Sequence, residues 1–481
     1  MFKHLTLVLL LLSFGKAANA QSSWQRAADR LAANPALKHG SISLCVIDVA
    51  SGKTVAQINP DLSLKPASNL KVLTTGSALA LLGPDYRFST KLQYEGTINK
   101  SGILEGDLFL YGNGDPTLGS PLLEAATGPE ETLRLFRLAV QRAGIRRVQG
   151  RVIGDASAFG SQAYCRTWQW EDMGNYYAAG AWSLNWHENL HELHFKQTAE
   201  GKTPSISGTT PFVPGLTFSN EVVSGSPGSG DNAYIFGAPY QMERYVRGSI
   251  PAGSGTFTIK GALPDPPLLL AQTLQQELSG VGIPTQGADR RFMSTVSDRT
   301  TLYTHYAPPL SAIVERTNME SVNLYCEAML RTIGWEQSQE GRYAAGHKAI
   351  QEYWESRGLS WEGVFLDDGS GLSEGNAVPA RFLAAFMRKM ALGPTDVFQA
   401  FEASLPVAGR SGSMKYALKG TAAEGRVLAK TGTLERVRAL TGYVDTRNGQ
   451  RLAFSVIVNR YEGSGGKIRK AMEQFLLALC Q

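Results

Sequence analysis

The sequence predicts an α/β (α+β) protein in which an antiparallel sheet flanked by helices is interrupted by a large β-rich insertion. Three observations lead there. Short alternating strands stand at both ends of the chain, at residues 41–49 and 54–58 and again at 437–444 and 452–458. Helical periodicity dominates from about residue 306 onward. Between these parts, residues 86–297 are a succession of short strand-like runs and Gly-, Ser-, Pro- and Thr-rich loops with few helices.

Residues 1–20 read as a targeting segment: Lys3 and His4 form a basic start, residues 5–12 an apolar core, and Ala18-Asn19-Ala20 a small-x-small cleavage site. The apolar core is too short to span a bilayer. An exported protein is expected, soluble or peripheral on a membrane. Without Lys3 and Lys16 the chain keeps 45 basic and 42 acidic residues, a net charge of about +3. That balance, with no Lys/Arg cluster, argues against a nucleic-acid partner. Four cysteines, Cys45, Cys165, Cys326 and Cys480, are too sparse for a disulfide scaffold. Cys45 and Cys480 are close enough to the two termini to meet, and buried thiols fit equally well.

Taking the elements in order, residues 24–34 form an amphipathic helix. Ser51-Gly52-Lys53 turns the first strand into the second, so that these open the chain as a hairpin. The apolar run 72–82, closed by Gly83-Pro84, is a buried helix. Strands are expected at 87–94, 106–111 and 147–153, helices at 131–143 and 268–279, and an aromatic-rich loop at 168–186. Helices follow at 311–316, 322–333, 341–356 and 379–391. Arg447-Asn448-Gly449-Gln450 is a strong hairpin turn, and residues 468–479 form the last helix. The opening hairpin is expected to pair with the closing one.

The chemistry starts at Pro66-Ala67-Ser68-Asn69-Leu70-Lys71, at the mouth of the apolar helix. Ser68 and Lys71 share a helix face one turn apart. A serine hydroxyl needs a base to become a nucleophile, and a lysine serves only when burial or a nearby cation lowers its pKa. Ser-x-x-Lys alone is cheap, since Ser464-Gly465-Gly466-Lys467 matches it too. Two further motifs follow Ser68 in order: Ser321-Val322-Asn323 at a junction of helices, and Lys430-Thr431-Gly432-Thr433 entering the penultimate strand. This ordered triplet is the signature of penicillin-recognising serine acyl-transferases. Each part supplies a role. Lys71, its pKa lowered by burial and by the charge on Lys430, takes the Ser68 proton. Ser321 passes a proton to the departing amine, and Asn323 orients Lys71 and the substrate amide. Lys430 and Thr433 hold a terminal carboxylate, and the Ser68 and Thr433 N–H groups make an oxyanion hole.

The chain resembles the class C low-molecular-mass penicillin-binding proteins, the D-alanyl-D-alanine carboxypeptidases/endopeptidases. Beyond the triplet, the resemblance rests on Gly112-Asn113-Gly114-Asp115-Pro116-Thr117-Leu118, Gly154-Asp155, Trp170-Glu171-Asp172-Met173, Asp368-Gly369-Ser370-Gly371-Leu372-Ser373 and the long insertion itself. It implies a serine β-lactamase/transpeptidase-like catalytic domain at 21–85 and 298–481. An inserted domain at 86–110 and 200–297 would be interrupted in turn by a nested domain at 111–199. It implies a periplasmic D,D-peptidase acting on peptidoglycan stem peptides or cross-links, inhibited by β-lactam antibiotics and requiring no cofactor or metal. It also implies that Asp172 meets the amino end of the peptide side chain and that Tyr177 forms an aromatic wall.

The sequence departs from the family in three places. Val322 stands where relatives carry Asp or Asn, Glu374 where they often carry arginine, and Glu435 follows the Lys-Thr-Gly-Thr-Leu stretch. Asp172, Glu374 and Glu435 are therefore expected to form an acidic pocket suited to an ammonium group. Two rival functions remain: a cell-wall-binding relative without turnover, and a zinc peptidase. His187-Glu188-Asn189-Leu190-His191 matches a zinc-peptidase pattern, which requires a helix. The alternation of His191, Leu193 and Phe195 predicts a strand instead, where residues four apart lie about 13 Å from each other.

Overall fold

The computed structural model of the chain describes residues 22–294 and 298–481. The targeting segment expected at 1–20 lies outside the described residues. Among the described residues no helix is long and apolar enough to cross a membrane.

The two ends of the chain build one sheet. Its order is Val427–Leu434, Val437–Asp445, Arg451–Asn459, Ser41–Asp48, Thr54–Ile58. The opening and closing hairpins join antiparallel, from Ser41 against Asn459 to Asp48 against Leu452. Both faces are covered, so the central strands are nearly continuous hydrophobic runs. Leu44, Val46, Phe454 and Val456 face the terminal helices Ser23–Ala32 and Gly465–Leu479. Ala453 and Ile457 face the opposite core, shared with Val72, Leu73, Leu310 and Met387. Cys45 packs with Ala380 and Ala384 on that second side, whereas Cys480 lies in the first core. The sheet therefore separates the two cysteines, and all four cysteines are buried free thiols.

The Lys71–Leu82 helix is the pivot of the second core. Every residue from Lys71 to Leu79 is buried. A Cβ at Gly76 would sit 2.7 Å from the Phe386 ring, so glycine is what lets the helix approach that neighbour. Ser77 Oγ accepts from Trp354 Nε1 at 2.8 Å. Ser68 does not cap this helix. It lies in a 3₁₀ turn, Ala67–Leu70, which feeds the helix without any side-chain cap.

The insertion carries a five-stranded sheet, ordered Ala288–Arg291, Val152–Asp155, Leu108–Gly112, Ser89–Tyr94, Thr300–Tyr306. These strands draw on both inserted ranges expected from sequence and, through Val152–Asp155, on the range expected as the nested domain, and the last lies past residue 298, where the catalytic part was expected to resume. Helices Pro129–Arg142 and Pro266–Gly280 contribute Phe136, Val140, Leu270 and Leu274 to the core of this part. Two three-stranded sheets follow: Leu190–Lys196 with Ser205–Thr210 and Thr256–Ala262, and Thr217–Gly225 with Glu243–Pro251 and Asn232–Phe236. They bury Leu193, Phe195, Val222, Ile235, Val246 and Ile250 between them.

Candidate active site

The 3₁₀ turn presents Ser68 half-buried at the end of the pivot helix, while Lys71, one turn on, is fully buried. Ala67, just before Ser68, has φ +49°, a left-handed conformation that costs a non-glycine residue energy. Its carbonyl is pressed by Gly371, where a Cβ would lie 1.9 Å away.

Lys71 Nζ contacts three oxygens: Asn323 Oδ1 at 2.5 Å, the Ser370 carbonyl at 2.8 Å and Ser68 Oγ at 3.1 Å. The first two are pure acceptors and engage two N–H bonds. In a neutral amine the remaining tetrahedral position is the lone pair, and it faces Ser68 Oγ. Burial lowers the Lys71 pKa, opposed by Cys326, Glu327 and Asp368. Lys430 is also fully buried, and its pKa is driven well below the ordinary value by burial and then by the charge of Lys71. Desolvation is the leading cause for both enclosed lysines, as expected for Lys71, and because repulsion between two ammonium groups is mutual, each charge also disfavours the other.

The Ser370 carbonyl is held from behind. Glu327, fully buried, accepts from the Gly369 and Ser370 N–H groups at 2.9 Å each. Burial, with Asp368 nearby, pushes Glu327 up to about 8. Asp368 accepts from Trp168 Nε1 at 2.8 Å, tying the loop to the insertion.

Lys430 Nζ reaches Ser321 Oγ at 2.9 Å and the Thr431 carbonyl at 2.9 Å. Ser321 ends the helix Leu310–Glu320 at φ +62°, and Asn323 opens the helix Asn323–Ser338. Asn323 Nδ2 donates to the Tyr177 carbonyl of the insertion at 2.7 Å. The Lys-Thr-Gly strand lies at the edge of the sheet, and Gly432 permits its approach: a Cβ there would sit 2.6 Å from the Pro66 carbonyl. Thr431 Oγ1 donates to Ser413 Oγ at 2.9 Å, and Thr433 is exposed. The arrangement holds a shielded base against a hydroxyl, with a second hydroxyl and a second lysine beside it. That is what acyl transfer through a serine ester requires.

Tyr177 OH donates to Asp172 Oδ1 at 3.0 Å. Burial raises the Asp172 pKa against this bond, with Glu171 and Glu374 adding to the rise. Glu374 is neutralised by Lys65 at 2.7 Å. Glu435 is exposed in the tight turn between Leu434 and Val437. The expected acidic pocket is thus Asp172 with Glu374 in its field, rather than three free carboxylates.

The H-E-x-x-H residues are not on one helix. His187 and Glu188 lie in a 3₁₀ turn, His191 in the following strand, and residues 187–189 all have φ near +55°. His191 is buried against Phe218. Glu188 is enclosed and accepts from Arg316, Tyr325 (2.9 Å) and Ser120. Arg316 belongs to the helix before Ser321 and Tyr325 to the helix after it. Glu188 therefore clamps both helices across the strained Ser321 junction. The zinc-peptidase reading fails on this geometry. Ser370, Glu327 and the Glu188–Arg316 pair were missed by sequence reasoning. The Asp-Gly-Ser-Gly stretch pointed to the first, and nothing local pointed to the others.

The sequence pattern of the D-Ala-D-Ala carboxypeptidase 3 (S13) family matches residues 24–479. The D-alanyl-D-alanine carboxypeptidase of Actinomadura sp. (strain R39) is 31% identical over 456 residues, covering 90% of this chain and 80% of that one. A D-alanyl-D-alanine carboxypeptidase of Haemophilus influenzae is 23% identical, covering 86% of this chain and 84% of its own length. The crystal structure of penicillin-binding protein 4 from Haemophilus influenzae shares the fold at a TM-score of 0.78 and 21% identity, covering 91% of this chain and 95% of the other. A structure of that protein complexed with a β-lactam superposes at 0.75 with 20% identity, covering 94% and 97%. With the family pattern spanning nearly all of it, this chain belongs to the D-Ala-D-Ala carboxypeptidase 3 (S13) family.

Proposed function

We propose that this serine D,D-peptidase is exported to the periplasm and cleaves the bond after the penultimate D-alanine of peptidoglycan stem peptides, or the equivalent cross-link, through an ester on Ser68. The observation that carries the reading is the Lys71 amine, with two of its positions engaged by Asn323 and Ser370 and the third directed at Ser68 Oγ. Lys71 takes the Ser68 proton as Oγ bonds to the carbonyl carbon. The developing oxyanion is received by the Ser68 and Thr433 N–H groups. As the C–N bond breaks, Ser321 gives its proton to the leaving nitrogen and takes one from Lys430, its 2.9 Å partner. The two lysines together keep the same number of protons. Water then reverses the sequence: it loses a proton through Ser321 to Lys430, attacks the ester, and Lys71 returns its proton to Ser68.

Lys430, Thr431, Gly432 and Thr433 receive the terminal carboxylate. Burial depresses Lys430, so a carboxylate arriving beside it restores the ammonium form. Asp172 receives an ammonium group on the donor side chain, against the Tyr177 ring, with Glu374, already paired with Lys65, in its field. β-Lactams acylate the same serine. The test is a covalent adduct with a fluorescent penicillin, together with D-alanine release from a stem pentapeptide. Both are expected for the native protein and absent in Ser68→Ala. A native protein that neither labels nor releases D-alanine refutes the reading.

A further inference from the structure

The three-stranded sheet beside Asp172 has an aromatic face open to solvent. In its register Phe236 lies opposite Tyr245, and Tyr234 opposite Arg247, so these four share one face. The other face is core: Ile235, Val222 and Val246 are buried. Trp170 joins the outer face, its ring 6.2 Å from Phe236 at an interplanar angle of 35°. Trp170, Tyr176 and Tyr234 are 49%, 52% and 46% exposed. Large rings clustered at this exposure on a folded surface mark a binding surface rather than scattered apolar residues.

This face is continuous with the catalytic cleft. The Ile235 N–H donates to Asn175 Oδ1 at 2.9 Å. Gly174 packs so closely on that strand that a Cβ would lie 2.1 Å from the Ile235 carbonyl. From this turn Asp172 bonds Tyr177, whose carbonyl receives Asn323. Tyr176, exposed beside Tyr177, stands at its ring edge 5.4 Å away. A peptide held against Asp172 therefore has the aromatic face immediately beside it.

We propose that Trp170, Phe236, Tyr234 and Tyr245 form a platform for the glycan strand of the substrate polymer, a neutral chain of N-acetylated pyranose sugars. The inference rests on the peptidase reading above, because it is the peptide in the cleft that brings the sugar here. The chemistry favours this occupant. The electron-rich faces of aromatic rings attract the polarised C–H groups on the flat side of a pyranose. Arg247 lies 5.9 Å and 5.8 Å from the Phe236 and Tyr245 rings and is paired with Glu221 at 2.9 Å. That pair offers donors and acceptors to amide and hydroxyl groups with no net charge. An anionic lipid surface or nucleic acid would instead require an excess of cations.

The experiment compares native protein with Trp170→Ala and, separately, Tyr234→Ala, both changes at exposed side chains. Substrates are a free stem pentapeptide and the same stem on uncross-linked glycan strands. Retention of peptide-free glycan strands is measured alongside. Each variant is expected to raise KM for the polymer about fivefold to tenfold and to weaken glycan retention comparably, with kcat/KM on the free peptide unchanged. Equal effects on the two substrates, or unchanged glycan retention, overturn the platform. So does a loss of self-association or of vesicle binding with glycan retention intact. Native protein inactive on the free peptide would refute the peptidase reading, whereas retention of peptide-free strands reads the platform separately.

Discussion

Replacing Glu188 by alanine removes the clamp across the Ser321 junction, and its cost follows from the contacts. Glu188 and Arg316 are 2% and 8% exposed, and the carboxylate engages Arg316 through both oxygens. Breaking a buried pair from one side leaves an uncompensated charge, worth about 3–5 kcal/mol. Arg316 keeps Glu320 at 3.2 Å, but that carboxylate is 60% exposed and compensates only in part. Tyr325 and Ser120 also lose an acceptor. A loss of about 4 kcal/mol lowers the melting temperature by roughly 10 °C in a unit of this size. Release of the junction lets Ser321 and Asn323 drift from Lys430 and Lys71, and a shift of about 1 Å costs on the order of 10²-fold in rate. The assay is a thermal melt together with the acylation rate by fluorescent penicillin at 25 °C, with end-point labelling counting active sites. Glu188→Leu with Arg316→Met removes both charges. It is expected to restore most of the melting temperature while acylation stays slow, since the tether between the helices is still missing. If Glu188→Ala melts within about 2 °C of the native protein and acylates at the native rate, the clamp contributes neither stability nor positioning.

Acylation is expected to rise with pH as Lys71 loses its proton, with a midpoint below the ordinary lysine value of 10.5 because burial depresses it. The sign follows from the base being the neutral form, present above the folded-state pKa, and a stopped-flow profile that falls as pH rises contradicts it. Lys71→Met, an uncharged side chain of similar length that cannot take a proton, is expected to lower the acylation rate by about 10²–10⁴-fold in folded protein. Asp172→Asn is expected to raise KM about tenfold to a hundredfold for stem peptides with a free side-chain amine. Acetylated peptides should be unaffected, and equal turnover of the two by native protein refutes the ammonium site. Gly432→Val places a side chain where the Pro66 carbonyl already lies 2.6 Å from a Cβ. Penicillin labelling of folded protein should be lost, and retained labelling shows that the strand can give way.

Much of the catalytic part is legible in the chain. Short β-branched and apolar runs marked the strands at both ends, and the apolar run before Gly83 marked the pivot helix, because elements enclosed on all sides are built from such residues. Ser68, Lys71, Ser321, Asn323 and Lys430 were legible as an ordered set, since each carries a functional group the others cannot replace. The insertion was less legible. Its five-stranded sheet is assembled from strands as distant as Ser89–Tyr94 and Thr300–Tyr306, and short strands carry little local signal of their partners. Glu188 was legible only as part of a misleading metal motif, because its pairing with Arg316 spans 128 positions.

By itself, then, the sequence determined which reactive groups exist, in what order, and that the ends of the chain would build the sheet carrying them. Only the tertiary structure decided what surrounds those groups. A backbone carbonyl at Ser370 has no side-chain signature, yet it accepts from Lys71 at 2.8 Å and so fixes the amine beside Ser68. Burial is a property of the packed whole, and it is burial that makes Lys71 a base. The repulsion between Lys430 and Lys71, which the order of motifs suggested, adds to burial and does not replace it.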